Sequence, residues 1–123
     1  MNQYTVVNLP PKLRSRDLHW AVGFLEGEGC FASSGSTQSV SVYQSGSTET
    51  LEKLQKFFGG SILKKPPSGT SKFIKTKKQR YEWRVYGARA RNVIQQVYPY
   101  MSTRRKTKID KVLSKGDPDW SKA

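Results

Sequence analysis

The residues with the most chemical potential in this chain form one run, Gly23-Phe24-Leu25-Glu26-Gly27-Glu28-Gly29. Gly23 and Gly27 lie four apart, which on a helix clears one stripe of side chains and lets another backbone approach. Glu28 follows between two glycines, where a helix must end and the chain turn into a strand. If two such helices pair about a two-fold axis, Glu28 meets its symmetry mate. Two carboxylates so placed repel each other unless cations lie between them, which suits a divalent metal. Spacing alone is equally compatible with a plain turn carrying a solvated carboxylate. Cys30 and His19 are the lone cysteine and histidine. They can build neither an intrachain disulfide nor a zinc set, so both are assigned structural places and any metal must be held by oxygen.

The elements that must position this run follow from hydrophobic spacing. Ser15 reads as the cap of a helix running to about Glu26, with Asp17 in its first turn. Its residues Leu18, Trp20, Ala21, Val22, Phe24 and Leu25 leave little polar face, so it should be buried on two sides. Cys30 to Ser34 and Val40 to Gln44 suit a hairpin joined through Gly35, Ser36 and Thr37, with Val40, Val42 and Gln44 on one face. Ser47 to Phe58 carries Leu51, Leu54, Phe57 and Phe58 at helical spacing and stops at Gly59 and Gly60. Ser61 to Lys65 and Arg80 to Tyr86 suit a second hairpin around a long polar stretch, Pro66 to Gln79, with a mobile tip. In its second strand Tyr81, Trp83 and Val85 face the core, while Glu82, Arg84 and Tyr86 point away. Helices are expected at Ala88 to Val97 and Ser102 to Ser114, broken at Pro99. The order is α-β-β-α-β-β-α-α, an α+β fold with an antiparallel sheet, helices on one of its faces and the other face free to bind.

Composition narrows the partner. The 123 residues hold 22 Lys and Arg against 9 Asp and Glu, a net charge of +13, so the chain needs a polyanion. The expected organisation is a single domain over 1–115 and a polar tail over 116–123. No segment is apolar enough for a membrane span, and Met1 to Pro11 lacks the pattern of a signal peptide. The expected location is intracellular, in the cytoplasm, nucleoid or an organelle. The run from Trp20 to Phe31 has no second copy, so any symmetry must come from another subunit.

Ala21 to Gly29, followed by Cys30 and Phe31, resembles the nine-residue signature of the LAGLIDADG homing endonucleases and the start of their first strand. Gly23 and Gly29 equal the nominal motif, and Glu26 and Glu28 stand where aspartates are usual. The resemblance extends through the element order, Tyr43-Gln44 ending the second strand, Phe58-Gly59-Gly60 and Tyr98-Pro99-Tyr100. It implies a saddle-shaped sheet and a single-motif enzyme that hydrolyses double-stranded DNA at a long pseudo-palindromic site as a homodimer. The dimer would pair through Ala21, Gly23, Phe24 and Gly27. The divalent metal, magnesium, would be held by the Glu28 carboxylate and the Gly27 carbonyl. Glu26 would cap or pair within the interface rather than bind metal. Gln44 would organise solvent, and Arg104, in competition with Arg105 and Lys106, would approach the scissile phosphate.

DNA would lie on the free sheet face, whose second hairpin carries Lys64, Lys65, Lys72, Lys75, Lys77, Lys78, Arg80 and Arg84, with Glu82 the only acid. Its lysines would chiefly neutralise phosphates, while Gln38, Arg80 and Arg84 are candidates for base edges. Arg89 and Arg91 would extend the patch. The alternative on the same fold is a DNA-binding regulator without cleavage, or an RNA maturase. A general basic RNA-binding protein would account for the charge but not for the glycine stripe ending in Glu28.

Overall fold

The hydrophobic spacing is realised as nine elements. A computed structural model describes residues 12–34, 37–66 and 78–114 of the chain. In order they are α1 (Ser15–Glu28), β1 (Cys30–Ser34), β2 (Thr37–Ser45), α2 (Glu49–Phe58), β3 (Ser61–Lys65), β4 (Arg80–Tyr86), α3 (Gly87–Val97), a 3-10 turn at Tyr98–Tyr100 and α4 (Thr103–Leu113). The expected α-β-β-α-β-β-α-α order is therefore found. The turn through Gly35 and Ser36, the tip of the polar loop and the 116–123 tail lie outside the described residues. Among those described, no helix is long and apolar enough to cross a membrane.

The four strands form one antiparallel sheet in the order β1-β2-β4-β3. Cys30 pairs with Ser41, Val42 with Trp83, and Ile62 with Trp83 across the other edge of β4. Strand residues alternate between faces. Phe31, Val40, Val42, Trp83 and Val85 are buried on one face, in a single cluster with Leu18, Ala21 and Leu25 of α1, Leu51, Leu54 and Phe58 of α2, Ala90, Val93, Ile94 and Val97 of α3, and Ile109 and Leu113 of α4. The helices thus cover that face, and the opposite one carries Tyr43, Arg80, Arg84 and Tyr86.

Both boundaries of α1 differ from the sequence-based reading. Ser15 is already helical; the cap position falls to Arg14, in extended backbone and without a side-chain cap bond. α1 also continues to Glu28, and the Gly29 N–H still reaches the Leu25 carbonyl at 2.9 Å. At the end of α2 the chain reverses through Gly59 and Gly60, both at positive φ (77° and 97°), a region glycine enters without strain. A Cβ at Gly60 would come within 2.6 Å of Val85, so this corner needs glycine twice over. Trp83 fastens it by donating its indole N–H to the Gly59 carbonyl at 2.8 Å.

Candidate metal and nucleic-acid interface

α1 buries one face only within the chain: Leu18, Ala21 and Leu25 are packed, while His19, Gly23, Gly27 and Glu28 are exposed. The expectation of two buried sides is not met inside one copy. Ala21, assigned to the dimer interface from its place in the motif, lies in the chain's own core at 0% exposure. It shares the helix face of Leu18 and Leu25, three before it and four after it. Phe24 is half-buried and stacked on Trp20, with centroids 5.2 Å apart. At Gly23 and Gly27 a Cβ would meet nothing within 4 Å, so neither glycine is required by packing within the described residues. Gly29 is different. A Cβ there would lie 2.7 Å from the Leu25 carbonyl and 3.2 Å from Phe31, so the step from α1 into β1 admits only glycine without a shift.

The end of α1 is held by the start of α4. Arg105 donates Nε to the Glu26 carbonyl at 2.9 Å and Nη2 to the carbonyls of Leu25 and Gly29 at 3.1 and 2.7 Å. In return the Glu26 carboxylate accepts the Ser102 N–H at 2.8 Å and the Ser102 hydroxyl at 2.9 Å. A guanidinium thus sits at one helix C-terminus and a carboxylate at another's N-terminus, both favoured by the helix dipole. The Ser102 N–H, above all, holds the Glu26 carboxyl below its ordinary value; the Ser102 hydroxyl, Arg105 and Arg104 act the same way against burial. Glu26 therefore acts as a cap, the first of the two places expected of it, and does so on α4 of its own chain rather than across an interface.

The three competing cations separate. Arg105 is turned inward, its side chain 13% exposed. Arg104 is exposed and lines a cleft of about 220 Å³ with Arg105 and Lys108. Lys106 lies over the Tyr98 ring, 5.6 Å from its centroid. Gln44 is half-buried near the end of β2. Because Cys30 pairs with Ser41 in antiparallel register, the end of β2 lies toward the same end of the strands as the end of α1.

Gln38, a candidate for reading bases, is 1% exposed on the helix-covered face, and its Oε1 accepts from Arg91 Nε at 2.9 Å. It cannot reach a ligand on the free face. The signal was present in its spacing, two before Val40 and four before Val42. Lys64, paired with Tyr81, likewise points to the helix side, but is exposed at the sheet edge. Lys65, Arg80 and Arg84 do lie on the free face, and Lys78 is exposed just before β4. Lys72, Lys75 and Lys77 lie outside the described residues.

Sequence reasoning missed what Glu82 does there. It is 0% exposed on the free face, beneath Arg84 and Lys65, whose ammonium lies 3.3 Å away. Arg84 also donates to the Tyr86 hydroxyl at 3.0 Å, the largest of the contacts that raise its pKa. Tyr43 is raised as well, chiefly by its hydrogen bond to Glu82. Arg80 stacks over Tyr43 at 4.8 Å. This face is a positively charged, aromatic platform whose central cations are anchored from below.

For a hard divalent cation the fit is partial within one copy. Glu28 and the Gly27 carbonyl offer the oxygen donors such an ion prefers. Among the described residues no group of three or more His, Cys, Asp or Glu gathers to hold a metal. Any further ligands of such an ion would have to come from outside the described residues of one copy.

No protein-family model matches the chain, and no curated protein does. Among solved structures it is similar to that of the homing endonuclease I-CvuI in complex with the I-CreI target in the presence of magnesium, where the DNA is not cleaved. Identity is 21%, over 88% of this chain and 76% of that one, with a TM-score of 0.55. The chain has the homing-endonuclease fold, as the resemblance at Ala21 to Phe31 implied.

Proposed function

We propose that the chain is a site-specific homing endonuclease that hydrolyses phosphodiester bonds of double-stranded DNA as a homodimer with magnesium ions. The observation that carries this reading is Glu28, exposed at the end of a helix whose Gly23 and Gly27 stripe is open, on a homing-endonuclease fold. Two copies joined along that stripe supply two Glu28 carboxylates and two Gly27 carbonyls at one point, which completes a ligand set that one copy lacks. A divalent cation there supplies charge stabilisation at the scissile phosphate and an acidified attacking water. Gln44, toward the same end of the strands as the end of α1, orients solvent, and exposed Arg104 faces the phosphate. The free sheet face enters the major groove, with Lys65, Lys78, Arg80 and Arg84 along it and Lys64 at its edge. Lys72, Lys75 and Lys77, which lie between β3 and β4 in sequence, are proposed to add phosphate contacts.

Incubation of a randomised duplex library with Mg²⁺, followed by sequencing of the cut ends, tests the reading. Intact protein should leave cuts at one recurrent sequence, and Glu28→Gln should bind that sequence without cutting it. Recurrent binding with no cutting by either protein would replace the endonuclease with a DNA-binding regulator.

A further inference from the structure

We propose that Arg105 is the positioning residue of the metal site: it holds the last turn of α1 so that the Gly27 carbonyl and the Glu28 side chain converge on one cation. The proposal rests on the reading of Glu28 and Gly27 as metal ligands. A helix leaves its last carbonyls without intrahelical partners, and such groups must be satisfied elsewhere. Of the three carbonyls that Arg105 takes around this terminus, that of Glu26 is such a group, that of Leu25 also accepts the Gly29 N–H, and that of Gly29 lies just past the helix; its bonds pass over Gly27 and Glu28. Its donors bracket these two residues from the residues before and the residue after. The planar fork makes this possible, since it spreads rigid N–H donors across neighbouring acceptors where an ammonium is a point charge.

The sign of the charge argues for geometry. A guanidinium next to a cation site repels the cation, so electrostatics alone would make Arg105 a liability there. Its side chain is nonetheless largely buried, 13% exposed, and committed to backbone oxygens. What it contributes is orientation, as groups outside the ligand shell do for ligands within it; losing such a group weakens metal binding roughly 10- to 100-fold.

Mn²⁺ titration followed by water-proton relaxation, on full-length protein bound to a random-sequence duplex, tests this. Variants are Arg105→Lys, Arg105→Gln, Ser102→Ala and Glu28→Gln, each with its thermal midpoint and its DNA affinity in EDTA. The expected result is that both Arg105 variants weaken Mn²⁺ binding about tenfold or more while their DNA affinity in EDTA stays within about twofold. Ser102→Ala removes the cap of α4 and leaves the guanidinium on its carbonyls. It should lower the midpoint yet keep the Mn²⁺ affinity, which separates aim from stability. If Arg105→Lys binds Mn²⁺ like the intact protein, or Arg105→Gln binds it more tightly, the residue acts by charge alone and the proposal is overturned while the metal site stands. A match between intact protein and Glu28→Gln would instead remove the metal site itself, and the proposal with it.

Discussion

At the scale of single residues, the joint between Glu26 and Ser102 has a pH dependence with a defined sign. The carboxyl is held below its ordinary value in the folded chain. Its contribution is therefore full above the unfolded value, about 4.3, and disappears as pH falls through the lower, folded value. Intact protein should melt higher than Glu26→Gln at pH 6, and the two melting curves should converge towards pH 3; a gap that persists in acid would show that the carboxylate is not what fastens α4. What was legible at this scale was local. Glu28 and the two exposed glycines announce themselves by type and spacing, and Tyr81, Trp83 and Val85 by alternation. Arg105 could not be told from Arg104 or Lys106, because its partners lie about 80 positions earlier and no local pattern records a contact of that range. Gln38 was misplaced for the opposite reason. Its polarity outweighed a period-two position that puts it with Val40, where Arg91 supplies a donor to its buried Oε1.

At the scale of elements, α1 combines two requirements. Its Leu18, Ala21 and Leu25 face satisfies the chain's own core, and the Gly23 and Gly27 stripe satisfies nothing in it. These demands separate under substitution. Alanine is a better helix former than glycine by up to about 1 kcal/mol, and a Cβ at position 23 meets no atom within 4 Å. Gly23→Ala should therefore raise the stability of the single copy in urea titration while weakening assembly in sedimentation at micromolar concentration. Equal or tighter assembly would mean that the stripe is not where copies meet. Strand and helix order was readable because apolar period changes from 2 to 3.6 at each boundary, with Gly59, Gly60 and Pro99 as punctuation. The start of α1 was not, because Ser15 has the chemistry of a cap while the backbone places Arg14 there.

At the scale of the whole molecule, a net charge of +13 is spread over a two-layer fold with one sheet face left open. Glu82 shows that this face is more than a positive field, since its carboxylate is buried under the cations that would meet DNA. Affinity for duplex should fall steeply with salt, with a slope near −0.9 for each phosphate neutralised, so six contacts give about a thousandfold loss between 50 and 200 mM. Fluorescence anisotropy across that range measures it, and a flat response would rule out a phosphate-tracking surface. The clamp between Arg105 and the end of α1 also ties the first of the described helices to the last. During synthesis residues 23–29 are made long before residue 105 is added, and the carbonyls at the end of α1 wait without the guanidinium in the interval. Chain order thus acts as a timer: a nascent chain that has not yet reached Arg105 cannot carry a completed corner.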